Sequence, residues 1–162
     1  MQLQYKKFHP DAIVPTRAYS SDSGLDLYSI PGTNPIILQP LERAVVDTGI
    51  GFKLPKSSYF MSNNPDDDCI EIMYEGQVRP KSGRSAKEGL AVLNSPGTVD
   101  NSYIDSVKVI LVNLSSGIVA IHPGQKIAQF VVCPIIIPTL LTEVDDLAQT
   151  DRGINGFGST GI

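Results

Sequence analysis

The feature that most constrains this chain is the even scatter of 14 glycines and 12 prolines between short apolar runs. Proline fixes φ and removes a backbone N–H, and glycine favours turns, so both tend to end regular elements. The runs that they separate, such as 36–38, 107–114 and 127–132, have the length of strands. The pattern predicts an all-β protein with many turns. The segment 140–149 could form either a final strand or a short helix.

The composition argues against several classes of partner and cofactor. A formal net charge of -4 and the lack of a basic run argue against a nucleic-acid partner. Pro134 and Pro138 break the longest apolar runs, so we expect no membrane-spanning helix. Cys69 and Cys133, with two distant histidines, give neither a disulfide framework nor a zinc-site spacing. No signal-peptide pattern opens the chain, so we expect a cytoplasmic or nuclear protein.

The length of 162 residues fits one domain with a sizeable core, which we place at residues 1–150. Residues 57–75 are predicted to form an inserted hairpin with an acidic tip at 66–68. Three adjacent carboxylates cannot all turn to one cation, so a solvated loop is favoured there. Residues 151–162 hold four glycines and one Phe, too little apolar surface to offset the cost of ordering. We expect a mobile tail, which either closes over a ligand or has no function.

The stretch 94–103 combines turn formers with one carboxylate and one aromatic ring. Asn94, Pro96 and Gly97 shape a tight loop, which could present its backbone to a flat ligand. Asp100 could take a proton from water, and Tyr103 offers an apolar face with a polar tip. An ordinary hairpin is the alternative that this stretch leaves open.

Three further features could belong to a site. Residues 77–87 hold four cations, two hydroxyls and a glycine, which suits a phosphate as well as a basic surface turn, although the P-loop pattern is absent. Asp26 lies between two leucines on a predicted strand, where it is either solvated or holds a metal-bound water or a basic group. Gln129, in an apolar run, either ties a turn together or faces a ligand.

Taken together, these stretches resemble the trimeric dUTP diphosphatases, or dUTPases. The resemblance covers five motifs in the order that the family has them, and the last of them is highly specific. The motifs lie at 23–27, 79–83, 97–103, 123–129 and 152–161.

The resemblance implies a fold, an assembly and a reaction. The fold would be a β-clip or distorted jelly roll. The chain would form a homotrimer whose active sites each draw on three subunits, with a glycine-rich C-terminal arm closing each site. The reaction would be hydrolysis of dUTP to dUMP and diphosphate with Mg²⁺, which limits uracil incorporation into DNA and supplies dUMP for dTMP synthesis.

The resemblance also implies roles for single residues. Asp100 matches the carboxylate that activates the attacking water, and Tyr103 matches the ring under the deoxyribose. The uracil pocket is matched by Asn94, Gly97, Thr98, Val99 and Lys108. The phosphate contacts are matched by Lys81, Ser82, Gly83 and Gln129, and the closing tail by Arg152, Phe157, Gly158, Ser159 and Thr160. Asp26 matches an acid that supports the site, through a water near the metal.

Several positions depart from the family pattern. Lys81 stands where the family has Arg, which keeps the charge but loses the planar fork. Gln125 and Lys126 replace an Asp-Arg pair, so a structural ion pair is expected to be weaker. Two other functions fit the residues. A dCTP deaminase of the same fold would need a deaminating acid, and this loop offers only Asp100. A non-catalytic nucleotide-binding or protein-binding β domain would need no turnover at all.

Overall fold

The structure, a computed structural model, describes residues 2–56, 58–60, 70–137 and 141–154. Within them it contains twelve strands and one helix. The strands are β1 (Gln4–Lys7), β2 (Leu25–Tyr28), β3 (Ile36–Leu38), β4 (Arg43–Asp47), β5 (Ile50–Lys53), β6 (Ser58–Phe60), β7 (Ile70–Arg79), β8 (Leu90–Val92), β9 (Gly97–Val99), β10 (Lys108–Asn113), β11 (Val119–Ile121) and β12 (Lys126–Ile136), and the helix is α1 (Ser82–Glu88). The predicted all-β class is confirmed.

The largest sheet has the strand order β2-β12-β7-β6, and β9 also pairs with β7. All of its pairings are antiparallel. Three smaller sheets, β4-β10-β8, β11-β3 and β1-β5, complete the strand arrangement. Strand β7 is the common partner, because β12, β6 and β9 all pair with it.

The core draws side chains from all four sheets, and Phe130 is one of its largest fully buried side chains. Its ring stacks on Phe52 with centroids 4.1 Å apart and an interplanar angle of 18°. Gly76 of β7 lies against the Phe130 ring, and a Cβ on this glycine would come within 2.2 Å of the ring. The sequence therefore needs a glycine inside β7 so that a large aromatic side chain can lie against the backbone.

The segment 77–87 contains a helix that the sequence analysis did not predict. Helix α1 begins at Ser82, and an Arg84–Glu88 ion pair of 2.6 Å lies along it. Gly89 ends it at φ 67°, a conformation in which a side chain would be strained. Of the turn formers in this segment, Pro80 precedes the helix, whereas Ser82, Gly83 and Ser85 lie within it.

Two other predictions concern the segment 140–149 and the inserted hairpin at 57–75. The described residues 141–149 contain neither a strand nor a helix, so both expectations for that segment are wrong. Strand β6 pairs with residues 70–72 of β7, as a hairpin requires, but β7 then continues to Arg79 in the main sheet. The acidic tip at 66–68 lies outside the described residues. No helix in the described ranges is long and apolar enough to cross a membrane.

Asp26 links three elements through one buried carboxylate. Asp26 lies in β2 and is 5% exposed. One carboxylate oxygen pairs with the ammonium of Lys81, which precedes α1, and the other accepts from Lys126 of β12 at 2.7 Å. This is the basic partner that the sequence left as one alternative.

The two lysines determine the ionisation of this carboxyl. Burial alone raises the pKa of Asp26, but hydrogen bonds from Lys126 and Lys81 and their charges outweigh burial and hold the pKa below its ordinary value. A carboxyl with a lowered folded-state pKa stabilises the fold above its unfolded-state pKa, and this stabilisation is lost as the pH falls through the folded-state pKa.

We therefore predict that Asp26→Asn lowers the free energy of unfolding at pH 7 by about 1–3 kcal/mol. The difference from wild type should shrink below about pH 4, because the carboxyl of the unfolded wild-type chain then takes up a proton, and it should vanish as the pH falls through the lower pKa of the folded-state carboxyl. Urea unfolding at several pH values measures it. Asp11→Asn is the control, because Asp11 is an exposed carboxylate 4.0 Å from His9. A stability difference that does not change between pH 7 and pH 3 would contradict the charge-based account.

Candidate active site

A cavity of about 180 Å³ lies where β9 ends and β10 begins, and it is lined by Thr98, Val99, Asp100, Tyr103, Val107 and Lys108. Strand β9 is held against β7, with Thr98 opposite Gln77. The chain turns after β9 and returns as β10, so the loop 100–107 closes the cavity. The structure thus brings five of the predicted site residues around one small pocket.

Tyr103 is held at both ends. Its backbone N–H donates to the Asp100 carbonyl at 3.0 Å, and its hydroxyl donates to the Ser106 carbonyl at 3.0 Å. Ser106 is buried, and its own hydroxyl donates to Asp47 Oδ1 at 2.7 Å. The ring is 38% exposed. A fixed, partly exposed aromatic face next to the carboxylate is suited to packing against a flat or ring-shaped group.

Lys108 is aimed by a neighbouring carboxylate. Its ammonium donates to Asp105 Oδ2 at 3.1 Å, and this hydrogen bond raises the pKa of Lys108. The hydrogen bond from the Ser106 backbone N–H lowers the pKa of Asp105 most, and the hydrogen bond from Lys108 lowers it further. Lys108 therefore stays charged at the edge of the pocket. Neither Asp105 nor Ser106 was a predicted site residue, because an Asp and a Ser in a loop carry no signal of their partners.

Asn94 and Gly97 pack against each other at the start of the same loop. A Cβ on Gly97 would lie 3.1 Å from Asn94 Nδ2, so the glycine gives the amide its place. Asn94 is exposed, and its neighbour Ser95 precedes a cis proline. The loop follows β8 and leads directly into β9.

Asn101, like Asp105 and Ser106, was not a predicted site residue. Its Nδ2 donates to the Pro55 and Tyr74 carbonyls, each at 3.0 Å. An Asn in a turn-rich loop gives no sequence signal of such distant partners. The contact is visible only once the fold has brought the segments together.

A second group of predicted residues lies on the other side of β7, where β12 pairs with the same end of that strand. In the sheet, Gln129 stands opposite both Asp26 and Arg79, and its Nε2 donates to the Pro80 carbonyl at 3.0 Å. It therefore ties the turn before α1, one of its two predicted roles. A Cβ on Gly24 would come within 2.4 Å of Gln129 Oε1, which explains the glycine of the first motif.

The surface around α1 is positively charged. A cavity of about 600 Å³ is lined by Lys81, Gly83, Arg84, Lys87, Glu88, Ala120, His122, Gln125 and Lys126. Ser82 and Gly83 are exposed, and a Cβ on Gly83 would meet nothing within 4 Å. Packing within the described chain thus does not require a glycine at position 83. The lack of a side chain there leaves the backbone open to approach.

The two groups of residues line separate cavities of this chain. Lys81 and Gly83 belong to the larger one, and Asp100 and Tyr103 to the smaller one. Arg152 lies on an exposed turn in the described part of the tail. The predicted tail residues Phe157, Gly158, Ser159 and Thr160 lie outside the described residues.

The described residues do not fit a metal site of their own. They contain no group of three or more His, Cys, Asp or Glu that could hold an ion. Both carboxylate oxygens of Asp26 are taken by lysine ammonium groups, which would have to be displaced by a metal-bound water.

Comparison with known proteins identifies the family. Residues 68–161 match the family model described as dUTPase. The deoxyuridine 5'-triphosphate nucleotidohydrolase of Hydrogenobaculum sp. (strain Y04AAS1) is 41% identical over 162 residues, covering 100% of this chain and 99% of that protein. The enzyme of the same name from Clostridium novyi (strain NT) is 40% identical over 163 residues, covering 100% of both chains.

Solved structures agree on the fold. The dUTPase of Staphylococcus bacteriophage 80alpha with dUPNHPP has a TM-score of 0.80 and 25% identity, and the match covers 99% of both chains. The dUTPase of phage phi11 of S. aureus, solved to visualise its species-specific insert, has a TM-score of 0.73 and 22% identity, covering 93% of this chain and 100% of that one. The ordered motifs, the pocket beside Asp100 and these matches lead to one conclusion: the chain belongs to the dUTPase family.

Proposed function

We propose that this protein hydrolyses dUTP to dUMP and diphosphate, with Asp100 as the general base. The observation that carries the proposal is the exposed Asp100 carboxylate on the wall of the 180 Å³ cavity, beside the fixed ring of Tyr103. The relatives named above are dUTP nucleotidohydrolases, and the phage 80alpha relative was solved with dUPNHPP.

The chemistry needs one proton acceptor and strong charge neutralisation. A water oxygen attacks the α-phosphorus, the bond from that phosphorus to the α-β bridging oxygen breaks, diphosphate leaves, and the proton of the water passes to Asp100. One general base typically supplies about 10²–10⁴-fold. Positioning and electrostatic stabilisation must supply the rest.

The small cavity suits the nucleoside. The backbone of Thr98 and Val99, with Asn94 and Gly97 shaping the loop, would hydrogen-bond the uracil edge, and Lys108 would lie at the edge of the pocket. Cytosine would leave those donors and acceptors unpaired, which is a strong basis for discrimination. The Tyr103 ring would pack under the deoxyribose and leave no room for a 2′-hydroxyl.

The positively charged surface around α1 suits the phosphates. Ser82 and the open backbone at Gly83 would approach phosphate oxygens, with Lys81 supplying charge and Gln129 holding the turn. Because the described residues offer no metal site, Mg²⁺ would be held by the phosphate oxygens of the substrate, where it neutralises their charge. A phi11 relative is described as coordinating a structural Mg(II) ion.

An assembly of three copies would bring the two groups of residues together. In one chain they line separate cavities, so the small cavity of one copy needs the phosphate-binding surface of another. Leu141, Val144 and Leu147 are 97%, 57% and 84% exposed, and apolar side chains in such a row favour contact with a second copy. We therefore propose a homotrimer with a shared active site.

The tail would complete the site. Arg152 would meet the phosphates, and Phe157, Gly158, Ser159 and Thr160 would cover the uracil and phosphate chain. Covering the substrate excludes bulk water and fixes the phosphates for attack.

We expect Asp100→Asn to remove turnover while dUTP binding is retained, because the amide cannot accept the proton from water. The rate of diphosphate release should fall by at least about 10²-fold. A release assay with Mg²⁺ on dUTP, dCTP, dTTP and UTP measures turnover and selectivity, and calorimetry with dUpNHpp measures binding. The control is Asp11→Asn. Turnover by Asp100→Asn within about tenfold of wild type would reject the general base.

We also expect a chain ending at Thr150 to lose at least about tenfold in kcat/KM while its thermal unfolding midpoint stays within a degree or two. The described residues 151–154 form an exposed turn outside the sheets, so their removal should not affect the core. Steady-state kinetics and thermal unfolding measure the two effects. Hydrolysis of dUTP by the truncated chain at the full rate would show that the tail has no part in the reaction.

A further inference from the structure

Asn101 connects the loop that bears Asp100 to two other parts of the chain. Its side-chain NH₂ group has two hydrogens, and both are used, one on the Pro55 carbonyl and one on the Tyr74 carbonyl, each at 3.0 Å. The residue is half-buried. A serine or an alanine at this position could not serve both carbonyls.

The two acceptors belong to firmly placed segments. Pro55 follows β5, which pairs with β1. Tyr74 lies inside β7, opposite Pro134 of β12. One enters and the other leaves the predicted inserted hairpin, so Asn101 bridges the two chain segments at its base.

Asp100 itself has no comparable support from its side chain. Among the described residues its carboxylate accepts no hydrogen bond, whereas its carbonyl accepts the Tyr103 N–H at 3.0 Å. The carboxylate also lies between two cavities, because Asp100 lines both the 180 Å³ pocket and one of about 240 Å³ that includes Tyr74, Glu75 and Asn101. The direction of the carboxylate therefore depends on where its backbone is held.

We propose that Asn101 is a positioning residue for the hydrolysis proposed above, on which this inference rests. By fastening the peptide next to Asp100 to the Pro55 and Tyr74 carbonyls, it keeps the carboxylate on the side of the nucleoside pocket and away from the 240 Å³ cavity. The Tyr103 N–H holds the loop from the other side. Because Asn101 lines neither the nucleoside pocket nor the cavity around α1, its loss should affect turnover and not substrate binding.

A purely structural role would give a different result. If Asn101 only stabilised the loop, its replacement would lower the unfolding free energy but leave the kinetics of folded protein unchanged. If it positions Asp100, kcat falls in protein that is fully folded, since a displacement of about 1 Å at a reacting group can cost about 10²-fold.

The test compares wild type, Asn101→Ala and Asn101→Ser, with Asn34→Ala as the control because Asn34 is an exposed loop residue. We expect Asn101→Ala to lower kcat by about 10- to 100-fold, with KM for dUTP and Kd for dUpNHpp within about threefold of wild type. Asn101→Ser keeps one donor and should lie between Asn101→Ala and wild type. All kinetics are measured well below the unfolding midpoint of each variant.

Three outcomes overturn the inference while leaving the proposed function intact. The first is a kcat within about twofold of wild type for folded Asn101→Ala. The second is a loss that appears in KM and Kd instead of kcat. The third applies if Asn101→Ala fails to fold, and it is an unchanged kcat for Asn101→Ser. If wild-type protein shows no diphosphate release from dUTP, the proposed function fails, and this inference fails with it.

Discussion

The structure depends on the antiparallel pairing of β7 with its neighbours. One long strand holds β12 on one side and both β6 and β9 on the other, so its register determines which loops meet. It places Gln129 beside Arg79 and Thr98 beside Gln77. Gly76 lets the Phe130 ring pack against this strand from the core side. A register shift of one residue would turn the alternating side chains to the wrong faces and separate the residues of both groups.

Electrostatics divides the two groups of residues into different tasks. Around α1, cations dominate, and Asp26 orders two of them by ion pairs. At the nucleoside pocket, Asp100 is exposed, and the nearby Lys108 is held by Asp105. The cations around α1 and the exposed carboxylate of Asp100 thus lie on separate surfaces, which fits the proposal of a site assembled from more than one copy of the chain. A substrate that carries both a base and a triphosphate is the kind of ligand that would bridge them.

Much of the fold was predictable because strand signals are local. The runs 36–38, 107–114 and 127–132 are readable from neighbouring residues, and they correspond to β3, β10 and the first part of β12. Helix α1 was missed because it is short and flanked by turn formers, and its stabilising Arg84–Glu88 pair and Gly89 cap gave too weak a pattern. Segment 141–149 was wrongly expected to be regular, because its apolar residues, exposed here, imitate a strand or helix.

The meeting of predicted residues in one pocket was predictable where they lie close together in one motif, and not where the contacts join segments that are distant in sequence. Asp100, Tyr103 and Lys108 come from neighbouring positions, so their meeting in one pocket follows from a tight loop. The partners of Asp26 could be foreseen only as a basic group, since Lys81 and Lys126 are far away in sequence. Asn101 was invisible for the same reason, because its acceptors lie 46 and 27 residues away.

A crystal structure of the protein with dUpNHpp and Mg²⁺ is the most direct test of Asp100 as the general base. We predict uracil against the backbone of Thr98 and Val99, the Tyr103 ring under the deoxyribose, and a water about 3 Å from the Asp100 carboxylate in line with the α-phosphorus. A nucleotide bound elsewhere, or a carboxylate turned toward the 240 Å³ cavity with no water between it and the α-phosphorus, would contradict this prediction.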